Sequence, residues 1–305
     1  MNTLVLGGNG FIGSHLVDEL LENGHAVRVL DRYEEHFRKP LDNVEYIMAE
    51  MGNRGMMEQA LKGVDIVFHL ANTTLPASSN EDPAFDVKSN LVETIYLLEQ
   101  CVAHKIKKLV FLSSGGTVYG RPASIPVRED SPTNPECSYG IVKLTIEKYL
   151  ILFNRLHGLD YVILRPANPY GERQNPDGIQ GFIPVCLRRL SLGLPIVIWG
   201  TGDVVRDYLY IEDLVQAIVR AALLDSSVKV FNVGSGTGHS LNDILGFMQS
   251  VTEREMTVRY EDRRSYDIPK IYLDISRAQQ HLKWSPKIGL MDGIARTWQF
   301  VRQLN

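Results

Sequence analysis

A chain of 305 residues, 44% of them hydrophobic, can bury one large core with a smaller satellite and is neither a disordered segment nor a mini-protein. Its 32 Lys and Arg against 36 Asp and Glu leave a net charge of -4, which offers no basic excess to hold nucleic-acid phosphates. Cys101, Cys137 and Cys186 have neither metal-ligand nor disulfide spacing, and no apolar run reaches the ~18 residues of a membrane span, so a cytoplasmic protein without metal, membrane or nucleic-acid partner is expected.

The first predicted element is a strand, Thr3 to Leu6, followed by Gly7-Gly8-Asn9-Gly10-Phe11-Ile12-Gly13 and a helix over Phe11 to Asn23. A glycine-rich turn in that setting binds a dinucleotide. Gly7 turns sharply, Gly10 lets backbone approach a pyrophosphate, Gly13 lets the helix pack on the strand, and bare N–H groups at the helix start face the phosphates. Asp31 closes the second strand, Ala26 to Leu30, where a carboxylate accepts from the adenosine ribose of NAD and repels a 2′-phosphate; Arg32 beside it partly accommodates NADP.

Strands follow at Val44 to Met48 and Ile66 to Leu70, then a helix over Asn90 to His104, a strand at Lys108 to Leu112, a helix over Tyr139 to His157 and a strand at Tyr161 to Leu164. This alternation predicts an α/β fold, a doubly wound parallel sheet of Rossmann type. Tyr139 and Lys143, four residues apart, share one helix face. A nearby Lys⁺ and a positive nicotinamide favour the phenolate of a tyrosine whose ordinary pKa is about 10, which makes it an acid/base. After Pro166 the pattern loosens into loops over Asn168 to Gly181, and a helix at Ile211 to Leu224 leads to a strand at Lys229 to Val233. The expected division is a dinucleotide-binding domain over 1–166, to whose sheet 205–235 returns, and a smaller substrate-binding lobe mainly over 167–305.

In order, the glycine turn, Asp31, His69-Leu70-Ala71-Asn72, Asn90, Ser113-Ser114-Gly115-Gly116-Thr117-Val118-Tyr119-Gly120, Tyr139 with Lys143, and Arg165-Pro166-Ala167-Asn168-Pro169-Tyr170-Gly171 resemble the extended short-chain dehydrogenase/reductase family, especially its nucleotide-sugar epimerases and dehydratases. The resemblance implies an NAD-dependent epimerase of a UDP-hexose or related nucleotide-sugar. In such an enzyme Tyr139 removes the O4 proton on the way to a 4-keto sugar, while Lys143 tunes the phenol and holds the nicotinamide ribose. It further implies that Phe11, Ile12, Asp31 and Arg32 touch the dinucleotide, that Leu70, Ala71 and Asn90 line its further course, and that Ala167 sits against the nicotinamide. Ala49-Glu50-Met51 stands where the family often has Gly-Asp, and Glu50 can still accept from the adenine amine. Arg206 and Arg264 would bind the substrate diphosphate, with Asn168 and Asp267 positioning phosphate and ribose.

Gly115 stands where the family usually has a catalytic Ser or Thr. Thr117 is the preferred replacement, on the same face as Gly115 under two-residue strand alternation, and Ser114 the second choice. Ile271, where glucose-specific relatives carry a tyrosine, would leave room for an N-acetyl group. Gly116-Thr117 replaces the Asp-Glu pair of the dehydratases and argues against dehydration. A 4-keto-sugar reductase and a non-catalytic dinucleotide sensor are the rival readings. The helices of Asn90 to His104 and Tyr139 to His157 resemble the pair through which the family forms homodimers, with Leu144, Leu150 and Ile151 as contact candidates.

Overall fold

A computed structural model describes residues 1–178, 180–262 and 268–304. The chain runs β1 (Asn2–Leu6), α1 (Phe11–Glu22), β2 (Ala26–Asp31), β3 (Val44–Met48), α2 (Arg54–Leu61), β4 (Ile66–His69), α3 (Pro83–Asp86), a π-helical turn (Val87–Val92), α4 (Glu93–Ala103), β5 (Lys108–Leu112), α5 (Ser138–His157) and β6 (Asp160–Pro166). There follow β7 (Asn168–Tyr170), α6 (Phe182–Ser191), β8 (Ile196–Trp199), β9 (Val205–Arg206), β10 (Tyr208–Tyr210), α7 (Ile211–Leu223), β11 (Val230–Val233), β12 (His239–Ser240), α8 (Leu241–Thr252), β13 (Val258–Glu261), α9 (Ser276–Leu282) and α10 (Leu290–Arg302).

Seven strands form one sheet in the order β11-β6-β5-β4-β1-β2-β3, with parallel pairing from β3 through β1 to β6. β4 and β5 are nearly continuous apolar runs and almost wholly buried, as strands covered on both faces must be. The strand order reverses between β1 and β4, the place where an open α/β sheet leaves a crevice at its carboxyl ends. On one side of the sheet, Leu97 and Leu98 of α4 and Val142, Ile146 and Leu150 of α5 pack in one cluster with Leu4, Val67 and Phe111.

Contacts divide the chain into two compact units: Met1–Gly120, Pro132–Arg165 and Val215–Phe231 in the first, and Arg121–Ser131, Pro166–Leu214 and Asn232–Asn305 in the second. The second unit carries three two-stranded pieces, β10 with β7, β12 with β9 and β13 with β8. Among the described residues no helix is long and apolar enough to cross a membrane.

Three expectations change. Of the segment 205–235 expected to return to the main sheet, β11 alone joins it, and β9 and β10 pair with β12 and β7. The helix expected from Asn90 begins at Pro83, with Asp82 accepting from the Phe85 N–H at 2.9 Å, and passes through the π turn before becoming regular at Glu93. Leu150, expected at a dimer contact, is 1% exposed in the core; the exposed apolar residues of α5 are Ile141, Ile151, Leu152 and Leu156.

Candidate active site

At the sheet's reversal, the turn after β1 borders a cavity of about 500 Å³. Gly7, Gly10, Asp31, Arg32, Glu50, Met51, Leu70 and Ala71 line it, as do Tyr33, Thr73, Lys88 and Ser89, which no sequence motif singled out. Phe11, Ile12 and Gly13 do not line it. Gly13 acts at one remove: a Cβ there would overlap the Gly7 carbonyl oxygen and come within 2.7 Å of the Gly8 Cα, so only glycine lets α1 start this close to the turn. The N-cap of α1 is Gly10, which supplies no side-chain cap and lines the cavity, so the helix start is kept for an external acceptor.

Asp31 sits at the end of β2. Its Oδ2 accepts from the Asn9 N–H at 3.0 Å and its Oδ1 from the Tyr33 N–H at 3.1 Å, which straps the glycine turn to the second strand. A carboxylate has about four acceptor positions, so room is left for two ribose hydroxyls. Volume, glycine cradle, bare helix start and carboxylate together fit the adenosine-diphosphate half of a dinucleotide.

Asn90 is 3% exposed and does not line the cavity. Its Oδ1 accepts from the Thr73 N–H at 2.9 Å, and its Nδ2 donates to Thr73 Oγ1 at 2.8 Å and to Asp86 Oδ1 at 2.9 Å. It therefore holds Thr73, which does face the cavity, rather than facing it. The Thr94 hydroxyl donates to the Asn90 carbonyl at 2.6 Å, so it accepts from His69 Nε2 at 2.8 Å. Burial, and next the charge of Lys143, pull His69 down to about 3 and keep its imidazole neutral.

Along α5, Tyr139, Lys143 and Glu147 form one stripe at four-residue spacing. Tyr139 is half-buried. Lys143, 3% exposed, donates to the Leu112 carbonyl at the end of β5 at 3.0 Å, and its Nζ lies 5.5 Å from the centre of the Tyr139 ring. Glu147 accepts from the Ser113 hydroxyl at 2.5 Å and from Arg165 Nε and Nη2 at 3.0 and 2.6 Å, while Arg165 Nη1 donates to the Tyr119 hydroxyl at 2.9 Å. The stripe thus clips α5 to the ends of β5 and β6. Ser113, Tyr119 and Arg165 each stand in a sequence motif, but nothing in those motifs pointed to Glu147.

Burial, and then the charges of Cys137 and Asp86, push the Tyr139 phenol above its ordinary value. The lowering expected from Lys143 is thus not achieved by the lysine alone. Burial pulls Lys143 itself down to about 8, against the opposing pull of Asp86 and Glu147. Between about 8 and an unfolded value of about 10.4 the folded chain binds fewer protons than the unfolded one, so this group makes stability climb as pH rises through that window. Lys143→Met should remove roughly 2–3 kcal/mol of that climb, at about 1.36 kcal/mol per unit. Denaturant melts of both proteins at pH 7 to 10 check this; parallel curves would refute it.

Ser114 through Tyr119 coil into a turn, with the Thr117 and Val118 N–H groups donating to the Ser114 carbonyl at 3.4 and 3.2 Å. Two-residue alternation therefore does not operate there, and the reason given for preferring Thr117 fails. A different one replaces it. The Thr117 hydroxyl is buried with no hydrogen-bond partner, and Thr117 packs against the first turn of α5 at Gly140, where a Cβ would come within 3.1 Å of the Thr117 carbonyl. Ser114 is half-buried at the turn's start.

In the second unit, the Ala167 N–H donates to the Val233 carbonyl at 2.8 Å, and Asn168 donates through N–H and Nδ2 to the Asp207 carbonyl at 3.0 and 2.8 Å. Arg206 Nη1 donates to the carbonyls of Val205 and Ile268 at 2.9 and 2.6 Å. Asp207, 1% exposed, accepts from the Ser235 N–H and hydroxyl at 2.7 and 2.6 Å and the Leu273 N–H at 3.2 Å. Ile271 is a core residue, 3% exposed. Arg264 and Asp267 lie outside the described residues.

A switch-point cavity with a carboxylate closing β2, and a Tyr-x-x-x-Lys helix on the same sheet, define a dinucleotide-dependent enzyme of the short-chain dehydrogenase/reductase type. Residues 3–234 match the model of the NAD dependent epimerase/dehydratase family, and the chain belongs to that family. It is 36% identical over 314 residues to the UDP-glucose 4-epimerase of Mycolicibacterium smegmatis, with 99% of each chain covered. It is 32% identical over 310 residues to the dTDP-4-dehydro-6-deoxyglucose reductase of Escherichia coli, with 98% of this chain and 97% of that one covered. The structure of UDP-glucose 4-epimerase from Thermotoga maritima with UDP-glucose superposes with a TM-score of 0.94 at 36% identity, over 100% of this chain and 99% of that one.

Proposed function

We propose that the protein is an NAD-dependent UDP-hexose 4-epimerase that inverts C4 through a 4-keto sugar. The observation that carries the reading is the Tyr139–Lys143 pair beside a strand-end turn containing Thr117 but no carboxylate: acid/base chemistry at one hydroxyl is provided for, dehydration is not. Similarity along the whole chain to UDP-glucose 4-epimerases supports the substrate class.

Gly7, Gly10, Asp31, Arg32, Glu50, Met51, Leu70 and Ala71 would hold the adenosine diphosphate half of NAD, with Phe11 and Ile12 at the helix start and Asn90 behind the wall. When bound, NAD supplies the hydride acceptor and donor. Tyr139 takes the O4 proton and returns it, Lys143 lends the phenol its positive neighbour and holds the nicotinamide ribose, and the Thr117 hydroxyl orients O4. Ser114 is the second candidate for that last task. Ala167 would flank the nicotinamide, and Asn168, Arg206, Arg264 and Asp267 would hold the nucleotide diphosphate, so that 1–166 serves the cofactor and 167–305 the sugar nucleotide.

The test is conversion of UDP-glucose or UDP-N-acetylglucosamine to its C4 epimer, over many turnovers, by protein carrying only its co-purified NAD. The E. coli relative supports one rival, a 4-keto-sugar reductase. Absence of epimer together with stoichiometric NAD(P)H oxidation by a 4-keto sugar would establish that rival.

Asp31→Ala with Arg32 retained should narrow the preference for NAD over NADP, because repulsion of the 2′-phosphate and the ribose acceptor go together. Loss of the strap to Asn9 should weaken both cofactors as well. Titration of cofactor-free protein checks this, and an unchanged affinity ratio would show that Asp31 does not read the ribose. The exposed Ile141, Ile151, Leu152 and Leu156 of α5 support a homodimer. Light scattering at micromolar concentration should give twice the chain mass; a monomer would refute it. A cytoplasmic setting and a place in polysaccharide biosynthesis complete the proposal.

A further inference from the structure

The N-terminus of α5, which carries Tyr139, is not capped by its own sequence. Its N-cap, Cys137, makes no side-chain cap. The Ser138 and Tyr139 N–H groups donate instead to Asn80 Oδ1 at 3.0 Å and Ser79 Oγ at 3.1 Å, on the loop that leads back to the cavity wall. The Ser138 hydroxyl donates to Asp86 Oδ2 at 2.6 Å. The other oxygen of that carboxyl group accepts from Thr74 Oγ1 at 2.6 Å and Asn90 Nδ2 at 2.9 Å. Asp86 is 0% exposed. Asn90 binds Thr73 on both sides of its amide, and the Thr73 hydroxyl lies 2.6 Å from that of Ser89. Thr73 and Ser89 line the dinucleotide cavity, whereas Asp86 and Ser138 do not.

We propose that Asp86 is a positioning residue that couples occupation of the dinucleotide cavity to the placement of Tyr139. The geometry that carries this is one buried carboxyl group with its two oxygens turned to different duties: Oδ2 to the residue before the phenol, Oδ1 to the two residues that hold the wall. Short O–H···O bonds weaken steeply when stretched, so a movement of the wall that accompanies binding reaches the start of α5 through few links. Linkage makes the effect reciprocal, and loosening the start of α5 weakens the hold on the cofactor. The inference rests on Tyr139 as the acid/base, although its test does not depend on turnover.

NAD is titrated calorimetrically into cofactor-stripped wild type, Ser138→Ala, Thr73→Val and the double variant, with affinities referred to the binding-competent fraction. Ser138→Ala deletes one hydroxyl outside the cavity and is expected to weaken NAD about 10-fold, the scale of one hydrogen bond to a carboxylate. Adding Ser138→Ala to Thr73→Val should have at least about threefold less effect than it has alone, because the path is already weakened by loss of the Thr73 hydroxyl, one of its two links to Asn90. Asp86→Asn should reproduce the loss and lower kcat for epimerisation by about 10-fold or more, with the KM for the sugar nucleotide little changed.

Ser138→Ala within twofold of wild type in NAD affinity, or strictly additive effects in the cycle, would overturn the proposal. Where Asp86→Asn fails to fold, Ser138→Ala and the cycle decide. If Tyr139→Phe retains activity, the epimerase chemistry is wrong as assigned, while the coupling still stands or falls on the titration.

Discussion

Tyr139→Phe is expected to reduce C4 epimerisation by about 10³-fold or more while leaving NAD retention and melting temperature close to wild type. The substitution deletes one oxygen from a half-buried ring and keeps its packing. The lost oxygen is the only group on the Tyr139–Lys143–Glu147 stripe suited to carry a proton to and from a sugar hydroxyl. Lys143 is tied to the Leu112 carbonyl and Glu147 to Ser113 and Arg165. General acid/base catalysis by one positioned side chain typically contributes 10²–10⁴-fold, and here that side chain is also asked to both take and return the proton in each cycle. Steady-state assay with chromatographic separation of the two sugars reads the loss. Activity within tenfold of wild type would sink the assignment.

Glu147→Ala should be the most destabilising single substitution near the site. Glu147 and Arg165 are 3% and 5% exposed, and the pair is joined through two hydrogen bonds. Deleting the carboxylate leaves a buried guanidinium without its counter-charge and the Ser113 hydroxyl without its acceptor. Breaking such a pair from one side costs about 3–5 kcal/mol, on the order of 10 °C in melting temperature for a chain of this size. Glu147→Gln keeps an acceptor and the volume and should lose less. Because Ser113 opens the turn that carries Thr117, epimerisation should fall in both variants even below their melting range. A thermal scan with activity measured at 20 °C separates the two effects; a melting temperature within 2 °C of wild type for Glu147→Ala would show that the pair contributes little.

The parts of the molecule that could be read from the sequence are those in which one local signal decides one local structure. The apolar run of β1 meeting a glycine turn fixed the strand, the start of α1 at Phe11 and the cavity edge at Gly7 and Gly10. Asp31 ends β2 where the alternation of Ala26 to Leu30 stops. The Tyr139 to Lys143 spacing landed on one face because α5 is regular through both residues.

What escaped was structure made by partners distant in sequence. The caps of α5 come from Ser79 and Asn80, about sixty residues away, and no sequence motif singled out either of them. Asn90 was expected to face the cavity and faces Thr73 and Asp86 instead. Periodicity also misled where the backbone left its regular form. Ser114 to Tyr119 coil, so a strand rule could not choose between hydroxyls, and Leu150 belongs to the core because four-residue spacing from Val142 and Ile146 points it there.

The π turn at Val87–Val92 has a bearing on how this helix could have arisen. A ladder of that kind holds one residue more than an α-helix of the same rise, and the surplus rotates everything on its amino side relative to everything after it by about 100°. The extra residue is what allows Lys88 and Ser89 to look onto the cavity while Leu97 and Leu98 of the continuing helix look into the core. Removing a single residue from this stretch would leave the hydrophobic register of α4 undisturbed and swing the segment before it around the axis, taking the hydroxyl of Ser89 and the carboxyl of Asp86 away from their partners. In a lineage of such chains, a one-residue gap at this position is therefore a marker of a remodelled cofactor wall, whereas a gap of the same size in the loop after β7 carries no such message.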